Sequence, residues 1–309
     1  RRYERLMRPD GEQAVLMDSP PSKGEDVKPF ISVARHLKSI GLSAPEIYHS
    51  DPNKGFLLIE DLGDALYARK IRKDPSLERP LYEAAVDVLL ALHAADPPEL
   101  DVFRAEVSAP LSALAFDWYQ LGALGAVDHR AREALLTLLT ARLEPLDSQA
   151  TVLIQRDYHA ENLIWLPERD GPAQVGLLDF QDAMLGHPAY DLVSILQDAR
   201  RDVSAQLEQD MIERFLARST HAAEDFRDAY ALFGLQRNLR ILGVFARLCM
   251  RDGKAHYVDL IPRVWDHVQT NLRHPGMEEI AKIVTRSLPP PLTDVLTRLR
   301  AQCATHPTQ

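Results

Sequence analysis

Val152-Leu-Ile-Gln-Arg-Asp-Tyr-His-Ala-Glu-Asn-Leu-Ile-Trp165, followed after a short turn by Val175-Gly-Leu-Leu-Asp-Phe-Gln-Asp182, decides how this chain is read. An apolar strand leads into a loop carrying Asp157, and Asn162 follows five positions later, where a second apolar run begins. A third run delivers Asp179. Transfer of a phosphoryl group from ATP needs these side chains in this order. One carboxylate orients the attacking hydroxyl and accepts its proton, while an amide and a second carboxylate hold Mg²⁺ on the nucleotide phosphates. Asp157 is therefore the candidate catalytic residue and Asn162 and Asp179 the candidate metal ligands, with ATP and Mg²⁺ as the expected co-substrate and cofactor. An Asp and an Asn five apart prove little alone; the flanking strands, the Arg156-Asp157-Tyr158-His159 context and the Asp179-Phe180 dipeptide carry the reading. The plainer alternatives are a loop-capping Asp157 and turn or helix-cap roles for Asn162 and Asp179. His159 reads as a brace for the loop, and Asp191, at the head of an apolar helix, as a cap or an anchor for loop backbone.

Outward from this segment, strand-like runs at Tyr3 to Met7 and Gln13 to Met17 flank Arg8-Pro-Asp-Gly11, a turn in which Pro presets φ and Gly tolerates positive φ. Phe30, Val33, Ala34, Leu37 and Ile40 recur at helical spacing, with Gly41 placed to end the helix. Two further runs, Ile47 to Ser50 and Phe56 to Ile59, enclose a second hairpin turn at Asp51-Pro-Asn-Lys-Gly55. Strand, strand, helix, strand, strand predicts a small sheet with one packed helix. After Gly63 helical patterns dominate, at 81 to 92, at 111 to 143 and from about Tyr190 onward, interrupted by the strands between 151 and 179. The fold class is thus α+β, with a boundary after residue 62: a β-rich part over 1–62 and a larger, mostly helical part over 63–309. Pro289-Pro290-Pro291 reads as punctuation between terminal helices.

With 309 residues, 46% hydrophobic and 26% charged, the chain is long enough for two lobes, and disorder is not expected. A formal charge of −9 disfavours nucleic acid as a partner and suits a small molecule. The apolar runs fall far short of the roughly 20 residues of a membrane span, and Arg1-Arg-Tyr-Glu-Arg5 lacks the apolar core of a signal peptide. The expectation is a cytoplasmic protein without membrane partners, its oligomeric state left open. Cys249 and Cys303 have no metal-ligand spacing and read as ordinary thiols.

These features together resemble the aminoglycoside phosphotransferase and choline kinase branch of the bilobal protein kinase-like fold. Gln155 stands where that family's motif has His, whereas Arg156, Asp157, His159 and Asn162 fit. Finer segments are similar to the bacterial anomeric kinases of N-acetylmuramate and N-acetylglucosamine: Ala14-Val-Leu-Met-Asp-Ser-Pro-Pro21, Gly55 to Gly63, Asp179-Phe-Gln-Asp-Ala183, Tyr190 to Ser194, and Gln236 to Leu248 with Arg251-Asp-Gly-Lys254. The resemblance implies an ATP- and Mg²⁺-dependent kinase acting on the anomeric hydroxyl of an amino sugar in cell-wall recycling. It makes 1–62 a nucleotide-binding lobe, with backbone near Glu60 and Leu62 as the adenine-binding hinge, and Gln181 and Asp182 substrate-binding candidates.

Against the family's pattern, the strand expected to carry a phosphate-binding Lys has Met17 in that place, and the chain is expected to lack the strand and loop that cover the phosphates. Arg2, Arg5 and Lys23 are the cations offered as replacements. Arg237, Arg240, Arg247 and Arg251 recur along nearly one helical face. A solvated face is the default reading. The sharper one makes Arg237, Arg247 and Arg251 substrate-binding residues for an anionic group such as a lactyl carboxylate, a wall that would repel a polycationic aminoglycoside. The alternatives are an aminoglycoside phosphotransferase and a non-catalytic, pseudokinase-like binding protein, the latter motivated by Met17.

Overall fold

The computed structural model describes residues 1–7, 11 and 13–306, and of Lys23 the backbone only. Most of the turn expected at Arg8-Pro-Asp-Gly11 lies outside the described residues. The chain forms two compact units: 1–101 with 151–195 and 205–220, and 102–150 with 196–204 and 221–309. The boundary read after residue 62 falls inside the first.

The first unit opens with a four-stranded antiparallel sheet in the order β1-β2-β4-β3, from β1 (Arg2–Met7), β2 (Gln13–Asp18), β3 (Ile47–Asp51) and β4 (Phe56–Glu60). The β3–β4 turn is closed by Gly55, at φ +78°, whose added Cβ would lie 2.0 Å from the Ser19 carbonyl oxygen; only glycine fits there. Between β2 and β3 runs α1 (Lys28–Ser39), with Pro29 in its first turn and Phe30, Ile31, Val33, Ala34 and Leu37 buried, as the spacing predicts. Two further helices follow, α2 (Tyr67–Lys73) and α3 (Glu78–Ala94), and α3 buries Leu81, Tyr82, Ala85, Val88, Leu89 and Leu92. Residues from 151 on add two antiparallel pairs, β5 (Val152–Ile154) with β8 (Met184–Gly186) and β6 (Leu163–Trp165) with β7 (Val175–Leu177). The helices α7 (Ala189–Leu196, to Ile195) and α8 (Ala205–Ala217) complete the unit. Bidentate Arg214–Asp87 hydrogen bonds of 2.9 and 2.8 Å tie α8 to α3.

The second unit is helical: α4 (Ala105–Ser108), α5 (Leu121–Leu124), α6 (His129–Leu143), α9 (Ala223–Met250), α10 (Ile261–Leu272), α11 (Glu278–Ser287) and α12 (Thr293–Ala301). Its axis is α9, buried without interruption from Ala229 to Leu239. The side-chain amide nitrogens there find partners. Asn238 and Asn271 both donate to the Gln197 Oε1, at 2.7 and 2.9 Å, and Gln236 donates to the Ser108 carbonyl at 2.6 Å. The proline run separates α11 from α12, and its Pro289 carbonyl accepts the Tyr119 hydroxyl at 2.7 Å. Among the described residues no helix is long and apolar enough to cross a membrane.

Candidate active site

At the end of β4 the Glu60 amide donates to the Glu46 carbonyl at 2.8 Å. Its carboxylate accepts the Glu46 amide at 3.1 Å and pairs with Arg169 at 2.5 Å. The Glu60 side chain therefore braces the chain, and only backbone remains for recognition. Leu62 packs on Ile164 and Leu166, and the Trp165 amide donates to the Ala65 carbonyl at 2.9 Å. Among the described residues no backbone hydrogen bond engages the Leu62 amide. Beside this segment lies a cavity of about 340 Å³, with Val15, Ile59, Leu62, Ile164 and Leu178 as apolar walls and Asn162 and Asp179 at a polar end. The residues expected at the hinge, Glu60 and Leu62, and those expected to hold a metal, Asn162 and Asp179, thus line one cavity of a size suited to a small ligand.

The loop after β5 is anchored from below. The Asp191 carboxylate, fully buried, accepts the Gln155 amide at 2.6 Å and the Arg156 amide at 2.9 Å, which holds Arg156 at φ +71°. The Tyr158 hydroxyl donates to the Ala85 carbonyl of α3 at 2.8 Å. Asn162 closes the loop: its amide donates to the His159 carbonyl at 2.8 Å, and its Nδ2 to the Asp157 carbonyl at 2.9 Å while lying 3.4 Å from His159 Nε2. His159 and Asp191 thus sit in the bracing positions their places in the sequence suggest. Asp157, half-buried, is held by its backbone with its carboxylate outside this network.

Asp179 follows β7 at φ +58°, a conformation that costs a non-glycine residue about 1–2 kcal/mol. Its neighbours over-determine it. Phe180 is fully buried and stacks on Phe30 of α1, ring centroids 4.8 Å apart, and Gln181 Nε2 donates to Asp179 Oδ1 at 2.9 Å. With Asn162 Nδ2 and Asp179 Oδ1 engaged, Asn162 Oδ1 and Asp179 Oδ2 are left. Two hard oxygens from the protein, completed by phosphate oxygens and water, suit Mg²⁺. Among the described residues no group of three or more His, Cys, Asp or Glu forms a metal cluster.

Gln181, a substrate-binding candidate from the sequence, turns its amide toward Asp179, while the Asp182 carbonyl accepts Arg156 Nη1 at 3.3 Å. The arginines of α9 lie in the second unit, and the solvated-face reading fails for Arg237, while Arg240, Arg247 and Arg251 are half-buried. Arg237 is 4% exposed, because α9 is enclosed on all sides there. Burial, with Arg251 and Arg240 nearby, lowers the Arg247 pKa. Arg251 forks onto Asp252 at 2.6 and 3.0 Å. Of the cations offered in place of the strand lysine, Arg2 is strongly exposed and pairs with Glu4 at 2.6 Å, and Arg5 forks onto Asp61 and Asp64 at the hinge. The Lys23 side chain lies outside the described residues. Sequence reasoning missed Tyr3, which lines the cavity from β1; the alternation of Tyr3 and Arg5 on one strand face was the available signal.

Residues 1–230 match the model of the phosphotransferase enzyme family, and the chain belongs to that family. It is a phosphotransferase with an α+β, protein kinase-like fold. Among named proteins, the N-acetylmuramate/N-acetylglucosamine kinase of Caulobacter vibrioides is 41% identical over 94% of this chain and 89% of its own length. That of Pseudomonas aeruginosa is 34% identical over 94% and 86%. Among solved structures, an ADP-bound aminoglycoside phosphotransferase, APH(2'')-Ib, covers 87% of this chain and 91% of its own at a TM-score of 0.56 and 16% identity, a likeness of fold.

Proposed function

We propose that the chain transfers the γ-phosphoryl group of ATP to the anomeric hydroxyl of N-acetylmuramate or N-acetylglucosamine, in the cytoplasmic recycling of cell-wall sugars. The observation that carries the phosphotransfer is the cavity shared by the hinge, Asn162 and Asp179, with Asp157 tied to Asn162 through its own carbonyl. The names of the relatives support the choice of sugar. In this reading the Glu60–Leu62 backbone binds adenine against the apolar walls. Asn162 and Asp179 hold Mg²⁺, which when bound neutralises charge on the phosphates. Asp157 orients the sugar hydroxyl in line and takes its proton late, and Gln181 acts by fixing Asp179. Asp182 remains a candidate for holding the sugar in the first unit.

The test is ADP release from Mg·ATP with N-acetylmuramate, N-acetylglucosamine and kanamycin supplied separately. Turnover with an amino sugar, falling about 10²–10⁴-fold in Asp157→Asn, supports the reading. Turnover with kanamycin alone would move the chain to aminoglycoside modification, and silence with all three would leave a binding protein.

A further inference from the structure

Kinases of this general design place a lysine on a strand of the small sheet and pair it with a carboxylate on the neighbouring helix, so that a positive charge faces the phosphates. Here that strand position is closed. Met17 is fully buried, opposite Leu57 on one side and Tyr3 on the other. The phosphates of a nucleotide whose base lies at the hinge still need a cation near Asp179.

The register of the first hairpin supplies one. Tyr3 pairs with Met17 and Arg5 with Val15, and directly paired residues share a face. Tyr3, Arg5, Val15 and Ile59 all line the cavity; Arg1, just ahead of β1, is outside that lining but hydrogen-bonds the Tyr3 side chain, which is part of it. Arg5, at the hinge end, is engaged by Asp61 and Asp64. Arg2, on the opposite face, is 75% exposed. Arg1 instead extends Nε to the Glu25 Oε2, 2.7 Å away, just ahead of α1, and the two side chains are only 21% and 30% exposed. That bond uses Nε, and with Tyr3 as a second partner the five N–H groups of the guanidinium still leave donors for a contact to phosphate.

Arg1 reaches the cavity through Tyr3, which lines it together with Asp179. Burial works against its charge, but Glu25, with Tyr3 and Asp182 beyond it, more than offsets this and holds the pKa above the ordinary value, so the guanidinium stays charged. The Tyr3 hydroxyl, its pKa raised by burial, lies in the field of both Arg1 and Asp179.

We propose that Arg1, held by Glu25, is the phosphate-binding cation of this chain, taking from just ahead of β1 the place that Met17 closes on β2. The proposal rests on the ATP reading above. Its test is to titrate the full-length protein with adenosine, Mg·ADP and Mg·ATP, unaltered and as Arg1→Gln, Arg1→Lys, Glu25→Gln and, as a control on the opposite face, Arg2→Gln. Arg1→Gln should weaken Mg·ADP and Mg·ATP roughly 10- to 100-fold, the range for a charged hydrogen-bonding group, and leave adenosine unchanged. Arg1→Lys should recover part of the loss, Glu25→Gln should show a smaller loss confined to the phosphorylated ligands, and Arg2→Gln should show none. Unchanged Mg·ATP affinity in Arg1→Gln, or an equal loss for adenosine, would overturn the proposal while leaving the kinase reading intact. Failure of the unaltered protein to bind Mg·ATP would overturn both.

Discussion

Asp179 is held by three separate devices: a left-handed backbone, the Phe180 ring stacked on Phe30, and the Gln181 amide on its Oδ1. The first two fix where the residue is, and the third fixes how its carboxylate is turned. Gln181→Ala should therefore leave the fold intact and raise the Mg²⁺ concentration needed for half-maximal turnover several-fold, as removing an outer-sphere partner does in metal sites generally. A Mg²⁺ titration of ADP release at fixed ATP checks this; an unchanged Mg²⁺ dependence with a raised KM for the sugar would instead return Gln181 to the acceptor site. The types and spacing of Asp157, Asn162 and Asp179 were legible because phosphotransfer needs those groups in that order. The aim of an amide was not legible: Gln181 sits beside the motif in sequence, and only the tertiary turn at φ +58° points it back at Asp179. Arg1 escaped notice for a similar reason. It reaches the cavity through Tyr3, and which strand residues line the cavity depends on register, which follows from pairing across a turn that sequence does not fix.

Among the helices, α9 departs most from its sequence pattern. Four arginines at helical spacing predict a wet face, yet the helix is covered all round near Arg237. Periodicity reports a polar stripe but not whether other helices enclose it. α1 and α3 were legible because each has one apolar face and one partner surface. The close approach around α9 is most severe at Gly243, where an added Cβ would lie 2.1 Å from the Leu114 backbone. Because backbone cannot swing aside as a side-chain tip can, Gly243→Ala should destabilise the protein by about 1–3 kcal/mol or more, read as a lower urea midpoint. The neighbouring α10 carries a pH response. Burial lowers the His267 pKa to about 4, with Arg263 adding to the effect, and its Nε2 has no hydrogen-bond partner. The folded protein keeps this ring neutral, whereas the unfolded chain protonates it near pH 6.5. Its contribution is therefore fully present above pH 6.5 and is lost as pH falls toward 4, by roughly 3 kcal/mol. His267→Gln should flatten the fall in stability between pH 6.5 and 4 in denaturant melts; an equally steep fall in the variant would show that His267 does not titrate as described.

At the scale of the whole molecule, the α+β order and the family were legible from end to end, because short strands around 152–179 and the sheet before residue 60 bracket the chemistry. The division into compact units was not, since β5 to β8 pair among themselves yet pack into the N-terminal unit from far along the chain. What the first unit assembles is one cavity lined by Glu60 to Gly63 and by Asn162 and Asp179. In the proposed reaction the γ-phosphoryl group of ATP passes from that cavity to an anomeric hydroxyl. ³¹P NMR of the product formed from Mg·ATP and N-acetylmuramate tests this most directly. The account predicts a sugar phosphate whose phosphorus couples to the anomeric proton, absent with Asp157→Asn. A phosphate coupled to any other position, or no sugar phosphate with either amino sugar, would contradict it.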